Sequence, residues 1–354
     1  MKVLAINSSL RKGGQSRTET MMNHLVEGMK EKGGEVEVVH LREKNIKNCI
    51  GCFTCMTKTP GKCIHKDDMT NELYPKWVES DLVVYATPLF HHTVNAPMKA
   101  FIERTFPICE PFFEQDADGY WVHPLRHKFP DAVVLSVCGF FDESAFEALS
   151  HYVNFLFKRG EVRLVAEIYR TSSQVITQPV FKQKLIDILD ATKQAGRELV
   201  SSMKINPDTM LRIKQPIAEP QLLHVAGDLY WKTCIAEGIT PKTFEQKGMI
   251  PRPDSIYTYM TIMKLGFDSQ VAGDKTAKMQ FTFTGDVEGS CYFKIEKGTI
   301  ETTVGTTENP DLSIESPFDV WMDIVTDKAD GMQMFMEGKY QAVGDISLMG
   351  LFGR

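Results

Sequence analysis

The sequence has no long hydrophobic run and no excess of positive charge. Its richest apolar stretch, residues 132–141, has the length of a strand, whereas a membrane-spanning helix needs about 20 apolar residues. The 40 lysines and arginines are outnumbered by 46 acidic residues and are scattered along the chain. They form no basic surface of the kind that nucleic acid requires. We therefore expect neither a membrane span nor a nucleic-acid partner.

The cysteines are not spread over the chain as a disulfide framework would be. Four of the eight lie between residues 49 and 63, which indicates one local site rather than a stapled secreted fold. Only Lys2 follows the initial methionine before the first short apolar run, and that run is too short for a secretory signal. We expect a cytoplasmic protein with a cysteine site.

Strands alternate with helices over the first part of the chain. Apolar and β-branched runs predict buried parallel strands, and apolar residues three to four apart predict the helices between them. This alternation predicts an α/β fold with a doubly wound parallel sheet in a domain of residues 1–204. The predicted strands begin near residues 3, 36, 81, 132 and 162, and the predicted helices cover residues 17–30, 69–78, 97–106, 145–158 and 181–203.

Two further segments follow. Residues 205–264 contain six prolines and predicted helices at 221–237 and 256–265, so they are interpreted as a helical connector. Residues 265–354 change to a period of two, which predicts an antiparallel meander. Helices are expected at 318–326 and 331–337, before a final strand near 340–344. The predicted C-terminal domain is therefore α+β with an antiparallel sheet.

The loop after the first strand, residues 8–18, is rich in short donors. Because it joins a strand to a helix, its backbone N–H groups and the helix dipole favour an anion. It matches neither the Walker pattern nor the dinucleotide pattern, so the phosphate of a flavin mononucleotide (FMN) is a better candidate than that of a nucleotide; an ordinary capped turn is the alternative. We call it the phosphate loop; its candidate ligands are Ser9, Arg11, Gln15, Ser16 and Thr18.

Two more loops are expected at the same edge of the sheet, where open α/β sheets bind ligands. Residues 87–99, here called the ring loop, are partly aromatic and partly polar, as a flat heterocycle requires. In the loop after the fourth strand, Gly139 would allow close approach of the backbone to a ring. The candidate ring contacts are Pro88, Leu89, Phe90, His91, Thr93 and Gly139.

Residues 9–16 resemble the phosphate loop of the NADPH-dependent FMN reductase family, and residues 87–90 with 96–101 resemble its isoalloxazine loop. The resemblance covers about residues 1–200 and implies a flavodoxin-like fold that carries FMN, with NAD(P)H as co-substrate. It departs from the family at Ser8, where glycine is common, and at Leu10, where proline is frequent. Neither change removes a phosphate donor. Hydride transfer to a flavin needs no acid–base pair, so no catalytic side chain is assigned; His91 or His92 is expected to pack near the ring or to bind a backbone carbonyl.

Residues 45–66, the cysteine loop, contain Cys49, Cys52 and Cys55 at C-x2-C-x2-C spacing, followed by Cys63. Three thiolates at this spacing with a fourth nearby can ligate a [4Fe–4S] cluster. The pattern resembles the iron–sulfur flavoprotein branch of the same family. Structural zinc and unliganded thiols are the alternatives. The other four cysteines are expected to be buried thiols.

Residues 309–314 and 334–345 resemble a sterol carrier protein type-2 domain. That resemblance implies an apolar tunnel for lipids in residues 265–354, with dimerisation or docking as the alternative role.

Together these features predict an FMN-dependent NAD(P)H oxidoreductase or electron-transfer flavoprotein that carries a [4Fe–4S] cluster and is fused to a lipid-carrier-like domain. Its expected partners are an electron donor or acceptor such as a ferredoxin, a lipid ligand, and further copies of itself in a homo-oligomer. The alternative is a lipid- or sterol-binding carrier whose flavodoxin-like half is regulatory.

Overall fold

The computed structural model describes residues 1–12, 14–117, 119–157, 162–175 and 178–352. The Asp-Gly pair at residues 118–119 predicts a hairpin turn. Asp118 of this turn, Gly13 of the phosphate loop and Lys158 at the end of an expected helix lie outside the described ranges. The chain forms two compact units, residues 1–177 with 182–217 and residues 178–181 with 218–354. The domain boundaries at residues 204 and 264 stay a prediction.

The first unit is built on a five-stranded parallel sheet. Its central strands consist almost entirely of buried apolar residues, because helices cover both faces of the sheet. The strand order β2-β1-β3-β6-β7 is the flavodoxin-like order, which confirms the predicted fold class. The strands are β1 (Lys2–Asn7), β2 (Glu35–His40), β3 (Leu82–Pro88), β6 (Asp131–Val137) and β7 (Leu164–Arg170), and a separate hairpin consists of β4 (Glu114–Gln115) and β5 (Trp121–Val122).

Two helices of this unit touch through their backbones. A Cβ atom added at Gly28 would lie 1.8 Å from the backbone oxygen of Lys193, and one added at Gly196 would lie 2.0 Å from that of Leu25. This close approach locks the first helix against the fifth. The helices are α1 (Arg17–Glu31), α2 (Tyr74–Val78), α3 (Ala96–Glu103), α4 (Glu147–Phe157), α5 (Lys182–Ser202) and α6 (Pro207–Lys214).

The helix expected over residues 69–78 begins with a π-helical turn, Met69–Leu73, before α2. Asp67 accepts a hydrogen bond from the Thr70 N–H at 3.1 Å, as a cap does. Asp68 instead accepts one from the Asn45 N–H. Its backbone is already helical, whereas a capping residue needs extended backbone. The sequence predicts Asp67 and Asp68 as N-terminal caps of this helix, but only Asp67 caps it.

The second unit contains a sheet in the order β10-β9-β8-β11-β12, with helices before and after it. Strands β8 to β10 form the predicted antiparallel meander, whereas β11, which was not predicted, pairs parallel to β8. Aromatic side chains fill the core, where the Trp321 indole N–H donates to the Tyr259 hydroxyl at 3.0 Å. The elements are α7 (Pro220–Ala236), α8 (Pro241–Gln246), α9 (Ile256–Gly266), α10 (Ser269–Ala272), β8 (Thr276–Thr284), β9 (Gly289–Glu296), β10 (Thr299–Val304), β11 (Leu312–Pro317), α11 (Phe318–Val325), α12 (Gly331–Met336) and β12 (Gln341–Gly344).

In the described ranges, no helix has both the length and the apolar character that crossing a membrane would require.

Candidate functional site

The phosphate loop runs from the end of β1 to the first turn of α1. The side-chain oxygen of Asn7 accepts a hydrogen bond from the Ser9 N–H at 3.0 Å, which turns the chain as the strand ends. Ser16 is the N-cap of α1, and its hydroxyl oxygen accepts from the Glu19 N–H at 3.1 Å. This bond uses the oxygen of Ser16 and not its proton, so the hydroxyl can still donate to an anion.

The expected phosphate ligands differ in exposure. Ser9, Ser16 and Thr18 are buried, Gln15 is half-buried and Arg11 is exposed. Buried hydroxyls beside a helix N-terminus, with an exposed guanidinium on the same loop, are donors of the kind that a phosphate needs.

Arg42 supports the phosphate loop from outside the motif. Its guanidinium pairs with Glu19 at 2.7 Å and donates to the backbone oxygen of Arg11 at 3.3 Å. The hydrogen bond to Glu19 raises the pKa of Arg42 further above its already high value. The sequence analysis did not identify Arg42, because the loop motif gives no signal for a residue that lies 31 positions from its backbone partner.

The ring loop begins with a tight turn. Phe90 and Thr93 exchange two backbone hydrogen bonds of 3.0 Å, and the two residues between them, His91 and His92, have φ values of +47° and +62°. Such backbone costs a residue other than glycine about 1–2 kcal/mol, and strain of this kind is concentrated at functional sites. The turn leaves Phe90 and His91 exposed at the edge of the sheet.

His92 ties the ring loop to the loop after β6. Its Nδ1 lies 3.0 Å from the backbone oxygen of Ala145, so this nitrogen carries the proton. Its ring also stacks on Phe140, with centroids 5.4 Å apart. One of the two histidines thus binds a backbone carbonyl, in line with expectation. Gly139, next to Phe140, has the Gln174 side chain 3.2 Å from where a Cβ would lie.

Asn95 joins the ring loop to the phosphate loop and was missed as a site residue. It is buried, and its side-chain amide donates to the backbone oxygen of Ser8 at 2.8 Å. Its side-chain oxygen accepts from the Met98 N–H at 3.3 Å, which caps α3. An asparagine immediately before Ala-Pro is a recognisable cap signal, but the cap signal does not reveal the second partner.

The three predicted loops therefore lie at the carboxyl ends of three neighbouring strands, β1, β3 and β6. The strand order reverses direction between β1 and β3, and open α/β sheets bind ligands in the crevice at such a point. The Leu89 N–H donates to the Val137 oxygen at 3.0 Å, which continues the contact between β3 and β6 into the loops.

All four cysteines of the cysteine loop line one cavity of about 340 Å³. Cys49 and Cys52 are exposed, Cys63 is half-buried and Cys55 is buried. Burial raises the pKa of the Cys55 thiol, and the neighbouring Cys63, Cys49 and Cys52 raise it further. Hydrogen bonds from Thr54 lower the pKa of Cys52. The four thiols thus surround a common space.

Two further observations bear on this cavity. His65 also lines it, and its Nε2 is buried without a hydrogen-bond partner in the structure. Among the described residues, however, no group of three or more histidine, cysteine or acidic side chains is arranged to hold a metal ion. The expected cluster is therefore not confirmed by ligand geometry, although the cavity and its thiols are present. Of the remaining cysteines, Cys138, Cys234 and Cys291 are buried and Cys109 is half-buried.

A buried ion pair closes the cysteine loop. Arg104, the C-cap of α3, binds both oxygens of Asp67 at 2.7 and 3.1 Å, and neither side chain is more than 1% exposed. Burial alone would lower the pKa of Arg104, but the hydrogen bonds to Asp67 and the neighbouring Cys63 raise it. Asp67 was expected as a cap; its role in this pair was not.

The strand order defines the first unit as a flavodoxin-like fold, and the three loops lie at the carboxyl ends of its neighbouring strands β1, β3 and β6. Residues 1–153 match the NADPH-dependent FMN reductase family, and residues 264–353 match the SCP-2 sterol transfer family. Both resemblances read from the sequence are confirmed.

The chain is also similar to several proteins that are named iron-sulfur flavoproteins. One from Archaeoglobus fulgidus is 40% identical over 107 residues, which are 30% of this chain and 46% of the relative. Another, from Methanocaldococcus jannaschii, is 36% identical over 104 residues, 29% of this chain and 50% of the relative. The chain thus spans about half the length of these relatives.

Among solved structures, an FMN-dependent NADH-azoreductase from Bacillus anthracis in complex with FMN has a TM-score of 0.44 and 14% identity, covering 56% of this chain and 99% of that one. An NAD(P)H:quinone oxidoreductase from Methanothermobacter marburgensis has a TM-score of 0.42 and 16% identity, covering 56% and 96%.

Proposed function

We propose that the first unit binds FMN at the β1/β3 edge and acts as a flavin-dependent NAD(P)H oxidoreductase or electron-transfer flavoprotein. The observation that carries this proposal is the Asn95 bridge, which holds the phosphate loop and the ring loop together where the strand order reverses. The matched FMN reductase family supports the choice of ligand.

The residues present fit the two ends of this cofactor. Ser9, Arg11, Gln15, Ser16 and Thr18, with the N–H groups of the first turn of α1, would hold the phosphate. Pro88, Leu89, Phe90, His91, Thr93 and Gly139 would line the ring. When bound, FMN supplies the capacity to accept a hydride and to release its electrons singly. The His92–Ala145 bond holds the ring loop in place without taking part in that chemistry.

We further propose that Cys49, Cys52, Cys55 and Cys63 hold a [4Fe–4S] cluster. The supporting observation is that all four thiols line one cavity, in which the His65 Nε2 is a buried donor or acceptor without a partner. The relatives named iron-sulfur flavoproteins support the same choice. Such a cluster carries one electron at a time and would complement a two-electron flavin within the same unit.

The first experiment is an absorbance spectrum of anaerobically purified protein, with assays for flavin, iron, zinc and acid-labile sulfide. Flavin with about four irons and four sulfides per chain would support both proposals. Flavin with zinc, or with no metal, would overturn the cluster and leave a flavin reductase. The absence of flavin would overturn the main proposal.

The flavin ligands are tested by the double variant Arg11→Ala with Ser16→Ala, which removes the outer charge and the capping hydroxyl. We expect most of the FMN to be lost on purification, whereas the control Arg197→Ala with Ser201→Ala retains it, because these α5 residues, the first half-buried and the second exposed, lie outside all three loops. An unchanged flavin content in the first variant would contradict the assignment. Rates with NADH and with NADPH then identify the co-substrate.

A second candidate function belongs to the second unit. Its match to the SCP-2 sterol transfer family is accompanied by exposed apolar side chains on and after α12, namely Met332, Phe335, Met336, Val343 and Ile346. We propose that this unit takes an apolar lipid ligand. Organic extraction of the purified chain should yield bound lipid, and Phe335→Ser with Met336→Ser should reduce the uptake of a fluorescent fatty acid. Equal uptake by the variant would contradict a role for this surface.

A further inference from the structure

The Arg104–Asp67 pair holds both ends of the cysteine loop. Arg104 donates to the backbone oxygen of Lys47 at 2.6 Å, two residues before Cys49. Asp67 accepts from the Lys47 N–H at 2.9 Å and lies four residues after Cys63. The Thr70 hydroxyl accepts a further bond of 2.9 Å from Arg104. One ion pair therefore fixes where the loop leaves and rejoins the fold.

Arg104 lies beside residues that line the cysteine cavity. Its neighbours in the chain, Glu103 and Phe106, line the cavity, as does Cys63, and Cys63 is close enough to act on the charge of Arg104. The Arg104 Nε is buried and has no hydrogen-bond partner among the described residues. A buried donor of this kind is costly unless it faces an acceptor or a negative charge.

The two charges of the Arg104–Asp67 pair differ in their relation to the cysteine loop. Asp67 binds the two terminal nitrogens of Arg104, together with Lys47 and Thr70. Cys63 acts on the charge of Arg104 and is not among the groups that act on Asp67, so the positive charge is the member of the pair that faces the cysteine loop. Because both side chains are almost fully buried, water screens this arrangement little.

We propose that the Arg104–Asp67 pair is a positioning and tuning device for the redox group in the cysteine cavity, with Arg104 raising its reduction potential and Asp67 limiting that effect. The inference rests on the proposed function, in which Cys49, Cys52, Cys55 and Cys63 hold an iron–sulfur cluster. Reduction adds one electron and therefore one negative charge to the group, and no bond to Arg104 forms or breaks. A nearby cation makes that added charge more favourable, and net charge and hydrogen bonds to sulfur set cluster potentials.

The experiment is an anaerobic redox titration of the holoprotein with dithionite, followed by the electron paramagnetic resonance signal of the reduced cluster and by flavin absorbance. Three variants are compared with wild type: Arg104→Gln, Asp67→Asn, and Arg197→Gln as control. Arg197 pairs with Glu31 at 2.7 Å on the surface of the same unit, where both side chains are about one-third exposed.

We expect the cluster potential to shift to more negative values in Arg104→Gln and to more positive values in Asp67→Asn, with no shift in Arg197→Gln. The flavin potential should stay unchanged in all three. Shifts of the cluster potential in opposite directions indicate an electrostatic effect. If the pair only held the loop in place, both variants would lose iron, and their potentials would not shift in opposite directions. If Arg104→Gln retains no iron, Arg104→Lys replaces it in the comparison, because lysine keeps the positive charge. We expect Arg104→Lys to hold a cluster whose potential is closer to that of wild type than to that of Asp67→Asn.

Wild-type protein that binds a cluster, with variants that shift in the same direction or not at all, overturns this inference and leaves the proposed function intact. Wild-type protein without iron and sulfide overturns the proposed cluster and this inference with it.

Discussion

The side chain of Asn95 donates a hydrogen bond of 2.8 Å to the backbone oxygen of Ser8, across 87 positions of the chain. The same side chain caps α3 through the Met98 N–H. One buried residue thus sets the spacing between the loop after β1 and the loop after β3. Binding of a ligand that contacts both loops depends on this spacing.

We expect Asn95→Ala to lower both stability and flavin affinity. Loss of a helix cap costs about 1 kcal/mol, and an unpaired buried carbonyl at Ser8 costs about 1–3 kcal/mol more. Urea unfolding and FMN fluorescence titration measure the two effects. Asn206→Ala is the control, since Asn206 caps α6 at an exposed position; it should lower stability only. Equal flavin affinity in both variants would contradict the role of the bridge.

We expect His92→Asn to weaken FMN binding with little change in the rest of the unit. Asparagine tolerates the positive φ of this position, but it loses the stacking on Phe140 and the bond to Ala145. These contacts are worth about 0.5–1.5 kcal/mol each. FMN affinity and thermal unfolding provide the readout, with His151→Asn on the exposed side of α4 as control. An unchanged FMN affinity would show that the contacts of His92 with Phe140 and Ala145 do not contribute to FMN binding.

The lowered pKa of Asp67 predicts how the free energy of unfolding changes at acid pH. Burial alone would raise its pKa, but hydrogen bonds from Arg104, Lys47 and Thr70 hold the pKa well below its usual range. A carboxyl of this kind stabilises the fold above its unfolded pKa of about 4, and that stability is lost as the pH falls below this value.

We therefore expect wild type to lose more stability than Asp67→Asn between about pH 5 and pH 2. At neutral pH the variant should be less stable by about 3–5 kcal/mol, since it leaves a buried cation without its partner. Urea unfolding at several pH values measures this. Asp187→Asn breaks an exposed pair with Arg212 and should change stability by at most about 1 kcal/mol. Parallel pH curves for wild type and Asp67→Asn would refute the assignment.

The contact between α1 and α5 is tested by Gly196→Ala. Helix propensity alone would stabilise this variant by about 1 kcal/mol. The added methyl group would lie 2.0 Å from the Leu25 oxygen, so we expect a loss of about 2 kcal/mol or more instead. Gly350→Ala should be close to neutral, because none of the described residues comes within 4 Å of the added methyl group. Thermal unfolding shows whether Gly196→Ala is stabilised or destabilised relative to wild type.

The sequence predicts those features that are encoded locally. The buried strands β1, β3 and β6 are continuous apolar runs, and the phosphate loop lies between a strand and a helix with a serine cap. Strand β11 was missed because its alternation is short: only Leu312 and Ile314 are apolar before Ser316 and Pro317 interrupt the pattern.

The contacts that organise the site are long-range and could not be predicted in this way. Asn95 carries a cap signal, but its partner at Ser8 depends on two neighbouring strands. Arg104 is a charged residue at a helix end, which normally indicates solvent exposure. Its burial follows only from the return of Asp67 to the same place in the fold.

The glycine contact between α1 and α5 also limits how related chains can diverge. Because each helix places a backbone oxygen where the other would carry a Cβ, replacement of Gly28 alone or Gly196 alone forces the helices apart. Once the helices have separated, the second position also has room for a side chain, so glycine is no longer required there. Positions 28 and 196 should therefore covary, with glycine kept at both or lost at both, and this pair provides a marker of α5 packing that is independent of any ligand-binding residue.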